Sequence, residues 1–361
     1  MKKINIAIVG LGNCASSLIQ GIGYYSKDDL PEKEKVGLIH KDICGYKISD
    51  INVVVAFEAN IEKIGVPISE AIFKEPNCTK IFHDDKKLFN NKVSAGPVLD
   101  GISARISKLV KTHKINKNID EWQKNIVDEL KSKNVDIMVS CLPVGSVEAS
   151  KFYANCAIEA KIGFVNAIPE FICSSVEWSK KFENAGVPCA GDDIKSQFGA
   201  TLLHRILVDF INKRGQVIDN TYQLNVGGNT DFMNMLDEER LISKRISKTE
   251  AVTKLIDDYD LVTKIGPSDY IPHLKDNKVC YIEINGRQFG NVPFKVDVKL
   301  SVEDSPNSAG VIADVIRLTK VAKDRKLSGY QEFSSYYFKH PMRQYHDDEA
   351  IDIVEDFMDK I

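Results

Sequence analysis

The chain begins with a short apolar run, residues 4–9, that passes without interruption into G-x-G-x-x-A at Gly10, Gly12 and Ala15. Apolar residues then recur at helical spacing through LIQGIGYY, so the opening is a buried strand, a glycine turn and a helix. A strand that feeds a helix through so short a turn needs a parallel partner beside it, and this restricts the fold more than any other feature of the chain. The residue types also point to chemistry. Gly10 permits a tight turn, Gly12 lets the backbone approach a pyrophosphate, Ala15 allows close helix packing, and the first helical amides face the phosphates.

A polar stretch over 26–50 separates this helix from a second apolar run, INVVVAF, that ends at Phe57. Further strand candidates are VDIMVS (135–140), IGFVNA (162–167) and VPCA (187–190), with helix-like segments near 120–132, 146–160 and 174–185. Alternating buried strands and helices predict an α/β fold with a Rossmann-like doubly wound parallel sheet. After SQFGATLLHRILVDFINKR, a further helix, the texture changes. TYQLNV, VCYIEI and FKVDVKLSV alternate apolar and polar residues, the period of strands with one covered face, so a second, antiparallel or mixed sheet is expected. Helix returns from Ser308 to about Lys323, and a shorter one closes the chain from Asp347. The division expected is a first unit over 1–224, completed by a returning segment 305–361, and a second α+β unit over 225–304. Residues 80–120 carry no pattern that places them.

Length fits this division, since 361 residues suggest two domains or one large core with an insertion. Lysine and arginine number 48 against 51 acids, so no global positive field exists to attract nucleic acid or an anionic membrane. The longest apolar stretches fall well short of the roughly 20 residues that cross a bilayer, and the apolar run after Lys2 and Lys3 ends too early for a secretion signal. The eight cysteines lie far apart with no C-x-x-C pair, which fits free thiols in a reducing cytoplasm. Cys141, after VDIMVS, is either inert packing or a nucleophile, and buried cysteine is more often the former. His204 sits in an apolar helical pattern and is read as a core or edge histidine rather than a base.

Glu58 follows the second strand, where a carboxylate accepts hydrogen bonds from adenosine ribose hydroxyls and repels a 2′-phosphate, favouring NAD over NADP. It stands 46 residues beyond Gly12 instead of the usual 20 or so, so this role requires the 26–50 stretch to be an insertion. The alternative is a solvated loop glutamate.

Polar and charged residues concentrate in GDDIKSQ (191–197), NVGGNTDF (225–232), ISKRISKT (242–249) and EDSPNSAG (303–310). Gly227 and Gly228, with Asn229 and Asp231, look like a turn built to face a ligand. Lys244 and Lys248 are four apart, so a helix would put both ammonium groups on one face. Such a pair suits a phosphate or a developing oxyanion, and it equally suits a solvated basic face.

Taken together, GxGNxAS, SCLPVGS, FVNAIPEF, GDDIKSQ, NVGGN-D, SKRISKT, GPSD and DSPNSAG resemble, in this order, the myo-inositol-1-phosphate synthase family, especially its short bacterial form. The resemblance runs from about residue 3 to residue 341. It implies conversion of glucose 6-phosphate into inositol phosphate with tightly held NAD, by oxidation at carbon 5, proton removal at carbon 6, aldol closure onto carbon 1 and reduction, without net redox. It also implies that Lys195, Lys244, Lys248, Lys278 and Lys339 are active-site lysines, with Asp231 and Asp304 as site carboxylates. Asn13, Asp193 and Ser305 complete the expected cofactor contacts beside Gly10, Gly12, Ala15 and Glu58. Ser305, Asn307 and Ser308 would grip phosphate if DSPNSAG opens a helix, or Ser305 and Asn307 would simply cap it. The family further implies a homotetramer built through the second unit, and often a cation, for which no cluster here has ligand spacing. Two other readings stand beside this one. A sugar or sugar-acid dehydrogenase would release net NADH and lacks its expected E-K-P run here, and an NAD-sensing regulator would leave the lysine and aspartate motifs without a purpose.

Overall fold

The computed structural model describes residues 2–27, 29–236, 242–255 and 261–360, with the side chains of 242–245 outside the described set. In chain order the strands are β1 Ile4–Val9, β2 Ile51–Glu58, β3 Ser94–Ala95, β4 Ile137–Ser140, β5 Gly163–Asn166, β6 Pro188–Ala190, β7 Val217–Gly227, β8 Val262–Tyr270, β9 Asn277–Gln288, β10 Val292–Glu303 and β11 Gly329–Tyr330. The helices are α1 Asn13–Tyr25, α2 Ile68–Ala71, α3 Ile119–Ser132, α4 Val147–Ala160, α5 Val176–Ala185, α6 Ala200–Lys213, α7 Thr230–Asn234, α8 Ile242–Thr253, α9 Asp304–Asp324, α10 Ser334–Tyr337 and α11 Asp347–Asp359.

Among the described residues, seven strands form a parallel sheet in the order β11-β6-β5-β4-β1-β2-β3. Without β11 this is the 3-2-1-4-5-6 order of the Rossmann fold, whose direction reverses between β1 and β4. Alternate residues of β1 enter opposite cores: Ile4, Ile6 and Ile8 pack with α1 and α9, whereas Ala7 and Val9 pack with α3, α4 and α5. Burial on both faces is why the strand has no polar alternation.

The 26–50 stretch is an insertion, as the spacing of Glu58 requires, and it is firmly attached. Arg317 of α9, fully buried, donates to the carbonyls of His40 at 2.8 Å and of Lys41 and Tyr46 at 3.4 Å, and it pairs with Asp314. His40 Nδ1 in turn lies 2.7 Å from the other Asp314 oxygen.

The second sheet is mixed, in the order β10-β9-β7-β8, with β8 parallel to β7 and the other pairs antiparallel. Cys280, Ile282 and Ile284 of β9 turn one face onto α6 and α8. Strand β7 begins at Val217 and so crosses the boundary expected between 224 and 225. The chain then returns: α9 lays Ile312, Val315 and Ile316 onto the first sheet, and β11 adds a strand beside β6. Next, 337–339 runs against 193–195, with Lys195 N donating to Tyr337 O at 2.8 Å and Lys339 N to Asp193 O at 2.7 Å.

Candidate active site

A large cleft opens at the carboxyl ends of β1 and β4, where Rossmann sheets bind ligands, and continues towards α7, α8 and the start of α9. At its first end the glycine turn is built as its residue types require. Gly10 has φ +85°, and a Cβ there would meet Cys141 O at 2.8 Å. Gly12 caps α1 without a side-chain bond, and a Cβ on it would meet no protein atom within 4 Å. The amides of the first helical turn therefore face open cleft, the arrangement that receives a pyrophosphate. Ala15 is buried against the sheet.

Glu58 ends β2 and lines the cleft, so it is no solvated loop residue. Its Oε2 accepts from Ala59 N at 2.9 Å and Asn60 N at 3.1 Å, while Oε1 accepts from Leu11 N, inside the glycine turn, at 2.9 Å. Oε1 thus keeps accepting capacity towards the cleft. Asn13 also lines the cleft, but its Oδ1 is taken by Cys78 N at 2.7 Å and Thr79 N at 3.0 Å. Its side chain orders the 78–79 loop.

At the far end, side chains from widely separated segments converge. Asp193 and Lys339 form an ion pair at 2.8 Å, and the Lys339 ammonium also donates to Ile194 O at 2.6 Å. Ser247 of α8 donates to the other Asp193 oxygen. Helix α8 spans both Lys244 and Lys248. Lys248 is 6% exposed and lines the cleft, which removes the solvated-face reading for it. The Lys244 side chain lies outside the described residues. Lys278 of β9 pairs with Asp304 at the start of α9, and Asp231 of α7 lines the same cavity.

Several expectations need correction. Lys195 does not line the cleft: its ammonium donates to Ser335 O at 3.0 Å and lies 3.6 Å from Asp347 Oδ1, behind the Asp193–Lys339 pair. Burial first, and the Arg205 guanidinium second, push its pKa down to about 7. DSPNSAG does open a helix, but its first turn already holds carboxylates. Asp276 accepts from Ser305 N at 3.2 Å and Ser305 Oγ at 2.9 Å, and Asp304 stands beside it, so a phosphate would meet negative charge there. Asn307 holds Phe198 through N and O at 2.8 and 2.5 Å, and neither it nor Ser305 caps α9. Gly227 and Gly228 face protein, not ligand: a Cβ on Gly228 would meet Ile271 O at 2.4 Å, and one on Gly227 would meet the Phe232 ring.

His204 is a core residue, 2.8 Å from Thr221 Oγ1 and 3.3 Å from Gln223 Oε1, with its pKa lowered to about 4 by burial. Cys141 lines the cleft, and burial raises its thiol pKa to about 12, which disfavours the thiolate and fits inert packing. Two residues escaped the sequence reading. Asp276 ties α9 to Asn229 at 2.9 Å, the residue that caps α7, and Lys63 is a buried lysine beside the glycine turn. Asp276 stands two residues before Lys278, and that proximity was the available signal for it.

Comparison with known proteins decides what this assembly belongs to. An inositol-3-phosphate synthase of Mycolicibacterium smegmatis is 47% identical over 99% of this chain and 98% of its own length. One from Corynebacterium glutamicum is 45% identical over 98% of both. The chain belongs to the inositol-3-phosphate synthase family. The family model for myo-inositol-1-phosphate synthase matches residues 199–305, which hold Asp231, Lys248, Lys278 and Asp304. Among solved structures, that of Ari2 covers 99% of this chain and 98% of its own at TM-score 0.81 and 30% identity. The inositol-3-phosphate synthase of Caenorhabditis elegans, at 16% identity and TM-score 0.80, shares the fold over 99% of this chain and 85% of its own. Among the described residues no acid, histidine and cysteine cluster fits a metal ion, and no helix is long and apolar enough to cross a membrane.

Proposed function

We propose that this chain cyclises D-glucose 6-phosphate to 1D-myo-inositol 3-phosphate with NAD held at the glycine-turn end of the cleft. The observation that carries this is the continuity of one cleft from Gly12 and Glu58 to Lys248, Lys278 and Lys339. The Gly10–Gly12 turn and the α1 amides would hold the pyrophosphate of NAD, and Glu58 its adenosine ribose. NAD, when bound, accepts a hydride from the sugar and returns one, so no net redox follows.

The chain's own residues would do the rest. Cyclisation builds negative charge on sugar oxygens while the phosphate is already anionic, and cations fixed in a water-poor pocket stabilise such charge without reorganising. Lys339 is held by Asp193 and Lys278 by Asp304, so both ammonium groups keep their direction before substrate enters. Lys248 and Lys278 line the same cleft. Residues 225–304 supply Asp231, Lys248, Lys278 and Asp304, and act as the catalytic unit of the chain. Exposed Ile206 and the 62%-exposed Phe210 of α6 leave apolar surface on the helix that covers the second sheet, which suits a homotetramer. Cysteines that are all unpaired fit the reducing cytoplasm.

The test is product analysis with glucose 6-phosphate and NAD: a cyclic phosphate should form while NADH absorbance stays near zero. Accumulation of one NADH per sugar would support the dehydrogenase reading instead. Lys248→Ala should lower turnover on the order of a hundredfold, because one oxyanion stabiliser is typically worth that much. A near-normal rate in that variant would remove Lys248 from the mechanism.

A further inference from the structure

Lys63 belongs to none of the sequence motifs, yet its side chain lines the glycine-turn end of the cleft and is 2% exposed. Its ammonium donates to Leu11 O at 2.6 Å and to Asn77 Oδ1 at 3.0 Å. An ammonium carries three donors. Among the described residues Lys63 meets no third acceptor, and no carboxylate oxygen lies within ion-pair distance of it. A buried cation with an unmatched donor is costly unless a partner arrives.

The position of that donor identifies the partner's chemistry. Leu11, between Gly10 and Gly12, is gripped at both ends: its N–H by Glu58 Oε1 at 2.9 Å and its carbonyl by Lys63 at 2.6 Å. Glu58 and Lys63 therefore hold the two peptide groups on either side of the Leu11 Cα, and burial lowers the Lys63 pKa while the negative charge of Glu58 opposes that shift. A carboxylate only accepts hydrogen bonds and an ammonium only donates them, whereas a hydroxyl does both. One acceptor beside one donor matches the vicinal diol of a ribose.

We propose that Lys63 is a cofactor-contacting residue that donates its third N–H to a hydroxyl oxygen of the adenosine ribose whose proton is accepted by Glu58. This rests on the NAD reading above. The experiment is calorimetric titration of wild type and Lys63→Met with NAD and with NAD analogues lacking the 2′- or the 3′-hydroxyl. In wild type, removing the contacted hydroxyl should weaken binding tenfold or more, as for a hydrogen bond to a charged group. In Lys63→Met, NAD itself should bind about tenfold more weakly, and the same deletion should cost only a small part of the wild-type factor. Deletion penalties that are identical in the two proteins would overturn the assignment and leave Lys63 as a prop of the turn alone. Wild type that binds no NAD would overturn the underlying reading. If circular dichroism shows Lys63→Met to be unfolded, Lys63→Gln, which keeps a neutral donor, takes its place with a smaller expected loss and the same overturning result.

Discussion

At the glycine-turn end of the cleft, the groups suited to a pyrophosphate are backbone: the amides of the first α1 turn and the bare Cα of Gly12, carried by strands buried on both faces. At the lysine end the facing groups are long side chains from α7, α8, β9, the start of α9 and the 339 segment, and the second core beneath them is smaller. Backbone can be aimed only by the fold, so that end depends on sheet geometry. Charged side chains are aimed by one another, so the lysine end depends on pairing. The ends should therefore fail differently when altered.

The largest effect is expected at the Asp193–Lys339 pair. Lys339→Ala leaves a nearly buried carboxylate without its main partner and should cost about 3–5 kcal/mol of stability as well as turnover. Adding Asp193→Asn to Lys339→Met should recover most of the stability but none of the turnover, by denaturant melts and product assay. Recovery of both would mean the pair is only structural.

A smaller effect separates the two glycines. Gly10→Ala would press a Cβ against Cys141 O at a φ that side chains avoid and should cost about 1–3 kcal/mol. Gly12→Ala meets nothing and should melt like wild type while binding NAD more weakly. Equal melting temperatures for the two variants would break the contrast between fold-aimed and ligand-facing backbone.

The smallest is a slope. Lys195 has its pKa lowered to about 7 from 10.5, so in the folded protein it stays unprotonated down to about pH 7. The unfolded chain binds the extra proton between about pH 7 and 10.5, and stability contributed by this group rises with pH across that window. Lys195→Met should flatten the rise, measured by melting at several pH values. An unchanged slope would assign it to other groups.

Much of the first sheet was legible because its strands are buried on both faces and read as unbroken apolar runs: INVVVAF is β2, VDIMVS contains β4 and IGFVNA contains β5. Strands β3 and β11 have two residues each and leave no period to detect. Strand β8 is interrupted by Gly266 and Pro267, turn residues that argue against a strand unless its partner is known. Lys248 and Lys278 were legible through motifs, whereas the direction of Lys195 was not, because Ser335 O and Asp347, which hold its ammonium, lie far away in sequence. Lys63 stayed hidden for the same reason. Its meaning lies in the carbonyl of Leu11, and backbone atoms leave no trace in the residue types.

The return of the chain to its first sheet has a consequence for how the protein is made. Helix α9 and strand β11 cover and extend a sheet whose other strands are finished by Ala190. While the ribosome still holds residues beyond 304, the face formed by Ile4, Ile6, Ile8, Ile137 and Val139 lacks the cover that Ile312, Val315 and Ile316 later provide. A nascent chain of this protein thus carries an open apolar surface through nearly half of its synthesis, the condition under which chains aggregate or engage chaperones. Docking of α9 and β11 closes the sheet, and the segment that follows brings Lys339 to Asp193.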